Sequence, residues 1–270
     1  MTTTPAAPAV PPREASLLTT VSNGRGLARR SVLLHPAGGG IGPYLGIALQ
    51  LSRRSAVYGL RAAGLMAGER PDRSVPGMVR RYLRLVDGLG GPPDLLLGWS
   101  LGGTLAWELA SVFAERGHRP RVVMIDSPAQ PVAHDAERYG SLRERVTAAA
   151  GVAPHGPDAA LVARTTDAHI AAVGTHRVRS AHDCPTLLIT CTGGTGGGNN
   201  SAHLATWRAL SSDLRVREIP CGHFEVLTPA RLPAVLEHLT AFLHETDFGT
   251  PVPGPDAGEH HTHVHCEEEE

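Results

Sequence analysis

The chain has 270 residues, 41% of them hydrophobic, enough for one large domain or two small ones with a sizeable core. A formal net charge of −1 excludes a nucleic acid or an anionic membrane held by bulk electrostatics. All 25 basic residues are arginine, and the lack of lysine rules out a Walker lysine, a Schiff-base lysine and a lysine general base.

Residues 1–14 are rich in Thr, Ala and Pro and read as a flexible lead without the apolar core of a signal peptide. Ser31–Leu34 is expected to be a short strand running into His35-Pro36-Ala37-Gly38-Gly39-Gly40, and Ala56–Leu60 a second strand. Glycines just past a strand let backbone N–H groups approach a ligand, so this loop either helps to form an oxyanion hole or is a plain connection. Val75–Leu89 carries Met78, Tyr82, Leu83 and Val86 at helical spacing.

The apolar run Asp94–Gly98 then reads as a buried strand that passes through Gly98-Trp99-Ser100-Leu101-Gly102-Gly103 into a helix, Thr104–Glu115. A strand that turns straight into a helix around G-x-S-x-G is a nucleophile elbow. The turn is too tight for bulky neighbours, and it holds the serine in a strained, exposed position at the helix N-terminus. There, backbone N–H groups and the helix dipole favour a developing negative charge. Ser100 is therefore read as the nucleophile and the Leu101 N–H as an oxyanion donor.

Arg121–Ile125 suits a parallel strand buried on both faces and delivers Asp126 at its carboxyl end. Helical patterns over Asp135–Ala150 and Pro157–Val173 then interrupt the alternation. They predict an inserted helical lid at about residues 128–183, against the ~2–6 residues of an ordinary connection. Pro185–Thr190 resumes the sheet, followed by a glycine-rich loop, Thr192–Asn200, and a helix, Ser201–Leu210. Leu214–Ile219 is the last strand, Gly222-His223-Phe224 the turn after it, and Leu232–His244 the closing helix. Residues 246–270 read as a disordered, His/Glu-rich tail. The expectation is an α/β protein with a mostly parallel, doubly wound sheet over residues 15–245.

Ser100 needs a base, and the base needs a carboxylate to hold its tautomer. His223, in the turn after the final strand, is placed over the elbow by this topology. His35 lies nearer the oxyanion side and is the lesser alternative. Most of the other histidines, in the lid, on helix faces or in the tail, are expected to be solvated. Many α/β-hydrolases carry the acid after the strand that is here Pro185–Thr190, but Cys191–Asn200 contains no Asp or Glu. Asp126 is the acid that remains. The tail residues His260, His261, His263, His265 and Cys266 lack a visible scaffold, so no metal and no cofactor are assigned. The four cysteines show no CxxC spacing, and with no apolar membrane span the default is a reduced, soluble, cytoplasmic protein.

With these residues in place, the chain resembles the thioesterase domains of nonribosomal peptide and polyketide synthetases, members of the α/β-hydrolase superfamily. The likeness covers roughly residues 28–244 and rests on LLHPAGGG at 33–40, YGLRAAG at 58–64, LLLGWSLGG at 95–103, VVMIDSP at 122–128 and CGHFEVL at 221–227. Tryptophan before the serine is similar to the chain-releasing type. The resemblance implies an acid after the strand following the elbow, a mobile lid, and the Ala37 N–H as second oxyanion donor. It also implies a carrier protein whose phosphopantetheine thioester is the substrate; with no carrier domain in this sequence, the carrier is expected in trans unless the chain is an excised piece. Cys221 stands where the family usually has glycine, two residues before the histidine. An editing thioesterase that clears misprimed carriers, a small-molecule esterase and a noncatalytic hydrolase-fold binding protein are the rival readings.

Overall fold

Five consecutive buried residues, Leu95–Trp99, form the central strand, and their side chains go alternately to two separate cores. Leu96 joins one cluster, while Leu95, Leu97 and Trp99 join the other. A strand buried on both faces needs a helical layer on each. The computed structural model describes residues 12–24, 26–132, 136–150, 158–193 and 200–248.

The described residues form one sheet of seven strands: β1 (Leu18–Ser22), β2 (Arg30–Leu34), β3 (Ala56–Leu60), β4 (Leu95–Trp99), β5 (Arg121–Ile125), β6 (Thr186–Cys191) and β7 (Leu214–Ile219). Their order is β1-β3-β2-β4-β5-β6-β7; β1 is antiparallel to β3 and every other pair is parallel. Helix α1 (Pro12–Ala15) is a single turn, and α2 (Leu45–Leu51) follows β2. Helices α3 (Val75–Asp87), α4 (Leu101–Glu115) and α7 (Asn200–Leu210) cover one face around Tyr82, Trp107 and Trp207. Helices α2 and α8 (Leu232–Glu245) cover the other. The strand order reverses direction at β2, and the crevice beyond the carboxyl ends of β2 and β4 is the switch point where such sheets bind ligands.

The expected α/β-hydrolase architecture with an inserted helical segment is the one observed. The insertion comprises α5 (Ala136–Ala149) and α6 (Ala159–Thr175), between β5 and β6. The two differ in how they are held. Helix α6 buries Val162, Thr165, Thr166, His169, Ile170 and Ala172, whereas half of the described residues of α5 are exposed and Val146 is the one buried among them. Arg143 and Tyr139 tie α5 to Asp167 of α6, at 2.9 and 3.1 Å.

Strand β1 and helix α2 have no counterpart in the sequence-based expectation. The centre of β1 is exposed, as suits an edge strand, so its Thr-rich run lacks the apolar alternation that marks strands. The chain ends also differ from the reading. Residues 1–11 lie outside the described residues, but Pro12–Ala15 is helical and Glu14 pairs with Arg81 at 2.6 Å and Arg84 at 3.1 Å, so the lead is shorter than 1–14. At the other end, Phe248 is fully buried and the guanidinium groups of Arg29 and Arg121 lie 4.8 and 5.2 Å from its ring centroid. The folded part therefore extends at least to residue 248, three residues past the expected boundary at 245. The histidine-rich stretch beyond 248 lies outside the described residues. Among the described residues no helix is long and apolar enough to cross a membrane.

Candidate active site

Ser100 sits between β4 and α4 with φ 57° and ψ −124°, a left-handed conformation that a side chain adopts only under constraint. The constraint comes from its neighbours. A Cβ on Gly98 would meet the Gly102 carbonyl carbon at 2.0 Å, and one on Gly102 would meet the Leu34 carbonyl oxygen at 2.2 Å. Strand, helix and the end of β2 thus approach at backbone distance, which only glycine permits. The Ser100 N–H donates to Ile125 O at 2.8 Å, while the buried Tyr44 donates to Leu34 O at 2.8 Å and accepts from Trp99 N–H at 2.9 Å. Tyr44 was not legible as a site residue; it pins the ends of β2 and β4 together just below the serine.

Asp126 follows β5 and is also left-handed, with φ 44°. Its N–H donates to Ile189 O at 2.7 Å, anchoring the turn to β6. Both carboxylate oxygens are engaged: Oδ1 accepts the Cys191 N–H at 3.0 Å and Oδ2 accepts His223 Nδ1–H at 2.6 Å. The His223 ring lies 5.2 Å from that of Trp99 and 4.9 Å from that of Phe224. These contacts leave it little freedom to turn away. Ser100 and His223 line one cleft, together with Ala37, Gly38, Val146 and Phe224. The structure therefore brings Ser100, His223, Asp126 and Ala37 to one place, and Leu101 opens α4 beside them, where its N–H has no intrahelical acceptor. Cys221 packs against Cys191 with sulfurs 3.9 Å apart, and burial pushes both thiols up, so they fill space beside Asp126 as neutral groups.

His35 is not at the serine. It is fully buried, with Nδ1 2.8 Å from Pro36 O and Nε2 2.5 Å from the Tyr82 hydroxyl. Several of the other histidines are exceptions to the expected solvation. His169 of α6 is buried, stacks on His35 at 5.0 Å, and places Nδ1 2.8 Å from Ala37 O. His176 bonds Glu108 at 2.8 Å, and His203 Nδ1 accepts from the Ala129 and Gln130 N–H groups at 3.2 and 3.3 Å. Spacing along α6 could not show this, because a lone histidine on a half-apolar helix face carries no sign of its partner.

Burial lowers His35 to about 3 and His169 to about 4. Both rings are thus neutral in the folded state, while unfolding returns them to ordinary values near 6.5. In that interval the unfolded chain binds more protons, so stability is complete above about pH 6.5 and is lost as pH falls toward the folded values. Each ring is expected to cost about 2 kcal/mol between pH 7 and pH 5. Urea midpoints measured across that range should fall together; a flat profile would place charged rings in the fold.

The family model described as "Thioesterase domain" matches residues 30–243, and the chain belongs to that family. A 77-residue stretch is 40% identical to thioesterase pytI of Aspergillus terreus, covering 26% of this chain and 25% of that protein. Another, of 98 residues, is 33% identical to a dimodular nonribosomal peptide synthase of Bacillus subtilis (strain 168), over 35% of this chain and 4% of the synthase. The matched stretches span between 2% and 40% of the curated relatives' lengths. In fold, the chain is similar to the NocB thioesterase domain from the nocardicin cluster, with TM-score 0.68 and 23% identity over 85% of this chain and 99% of that one.

Proposed function

We propose that Ser100, His223 and Asp126 form a catalytic triad, and that the protein is a serine thioesterase releasing an acyl or peptidyl chain from the phosphopantetheine thioester of a carrier protein supplied in trans. The observation that carries this is the His223–Asp126 pair at 2.6 Å, its carboxylate fixed by Cys191 and its ring in the cleft that holds Ser100. A ring held this way carries its proton on Nδ1, which leaves Nε2 free to accept the Ser100 proton. Ser100 Oγ then attacks the thioester carbonyl, and the oxyanion meets the N–H groups of Leu101 and Ala37. Loss of one such donor costs about 3–4 kcal/mol in comparable sites. The imidazolium is stabilised by Asp126 and returns its proton to the departing thiol. The acyl-enzyme is then opened by water, giving a free acid, or by an amine or hydroxyl of the acyl chain itself, giving a ring.

A thioester on a carrier is favoured by the likeness to a stretch of a peptide synthase and to separate thioesterases. The cleft walls contributed by Val146, Ala149, Ala150 and Phe224 are apolar, which suits an acyl chain. Intact-mass analysis after mixing with an acylated carrier protein tests the reading. An acyl adduct on Ser100 is expected, followed by release. Turnover of free esters as fast as of carrier-bound thioesters would instead define a small-molecule esterase. A strong preference for short acyl groups over long ones would define an editing enzyme.

A further inference from the structure

The loop that carries the candidate oxyanion donor is gripped from inside by two stacked imidazoles. Their rings are 5.0 Å apart and 20° from parallel, one from the loop itself and one from the inserted helix α6. His35 Nδ1 lies 2.8 Å from Pro36 O, and His169 Nδ1 lies 2.8 Å from the next carbonyl, Ala37 O. A carbonyl oxygen only accepts, so both rings carry their proton on Nδ1. Nε2 of His35 is then an acceptor, and the Tyr82 hydroxyl donates to it at 2.5 Å. Burial keeps that hydroxyl protonated, so its role as donor is fixed.

In a trans peptide the C=O and N–H groups point in opposite directions, and among the described residues no peptide is cis. Tying the carbonyls of Pro36 and Ala37 to the stacked rings therefore turns the N–H groups of Ala37 and Gly38 the other way. Both residues line the cleft that contains Ser100. Two successive N–H groups directed to one side make an anion-binding concavity. A hydrogen bond to each carbonyl also polarises its peptide and strengthens the N–H at the far end. A purely structural contact would be filled more cheaply by apolar side chains, since burying an imidazole incurs a desolvation cost that Leu does not.

We propose that His35 and His169 are positioning residues that aim the Ala37 and Gly38 N–H groups at the oxyanion, with Tyr82 fixing the tautomer of His35. This rests on reading Ser100 as an acyl-transfer nucleophile. It makes the inserted helix α6 part of the oxyanion apparatus and Gly38 a third donor beside Ala37 and Leu101.

Three measurements test it. In the unsubstituted protein, ring-nitrogen NMR of His35 and His169 should show the Nδ1–H tautomer for both; an Nε2–H tautomer at either would overturn the proposal. Second, His169→Leu should lower kcat on an acyl thioester by about 10–100-fold, part of the effect of losing a donor outright. KM should stay unchanged, and phosphonylation of Ser100 by a fluorophosphonate should slow in parallel. His169→Asn, whose amide nitrogen occupies the place of Nδ1, should recover most of that loss. Equal impairment of the two variants, or an undiminished kcat in a folded His169→Leu, would reduce His169 to packing. Third, should His169→Leu not fold, Tyr82→Phe removes a single hydroxyl and is expected to lower kcat about fivefold or more with KM unchanged; an unaltered kcat would overturn the relay. Failure of the fluorophosphonate to label Ser100 in the unsubstituted protein would overturn the triad reading itself, an outcome distinct from all of these.

Discussion

Ser100→Ala is expected to abolish the acyl adduct and to lower turnover by ~10⁶-fold, as for nucleophiles of other triads. The geometry separates this loss from any loss of fold. The Ser100 side chain makes no capping hydrogen bond to α4, so deleting its hydroxyl leaves no helix donor newly orphaned. The elbow is shaped by the close approaches of Gly98 and Gly102, which alanine at position 100 does not touch. Alanine would inherit the same φ of 57° that serine bears, with no branched side chain to add to the strain. Thermal unfolding of the variant should therefore superimpose on that of the parent while mass spectrometry finds no adduct. Retention of even a tenth of the parental activity would remove Ser100 from the mechanism.

Asp126→Asn is expected to cost on the order of 10⁴ in kcat, with the fold intact. Cys191 dictates the outcome. Its N–H donates to Oδ1 at 3.0 Å and demands an acceptor there, so the new amide must place its oxygen toward Cys191 and its NH₂ toward His223. The NH₂ can only donate, and His223 Nδ1, 2.6 Å from the present Oδ2, must then accept. The ring proton moves to Nε2, the atom needed to take the proton of Ser100. The loss should lessen at high pH, where hydroxide partly replaces the disabled base. Asn200→Ala, at the first residue of α7 just past the loop where the acid of the commoner layout would lie, should have no comparable effect. A near-normal kcat in Asp126→Asn, with collapse in the asparagine variant, would mean that an amide orients the histidine and Asp126 is only a turn residue.

What could be read from the sequence follows the range of the interactions concerned. The elbow was legible because its requirements are local: the glycines at 98, 102 and 103 and the apolar run before them lie within a few residues. Asp126 was reached by elimination, since the loop after β6 holds no acid, and His223 by its place after the last strand. His169 was missed because its meaning lies in Ala37, 132 residues away in the chain, and Tyr82 because its partner is 47 residues away. Tyr82 sits on an apolar helical stripe, where a core role explains it equally well. Strand β1 escaped because an exposed edge carries no apolar alternation, and Phe248 because a single aromatic beside Gly and Pro reads as tail.

The anchoring of Phe248 bears on how the protein can be handled. Arg29 immediately precedes β2 and Arg121 opens β5, so their shared ring marks the amino-terminal end of the sheet. Ser100 stands at the opposite, carboxyl-terminal end, about 17 Å away for a five-residue strand. A dye, affinity handle or solid support joined just past residue 248 would thus sit behind the molecule, and the mouth of the cleft would stay open to a partner as bulky as a whole protein. A handle at the start of α2, where Leu45 stands exposed two residues after the cleft-lining Pro43, would crowd that mouth instead.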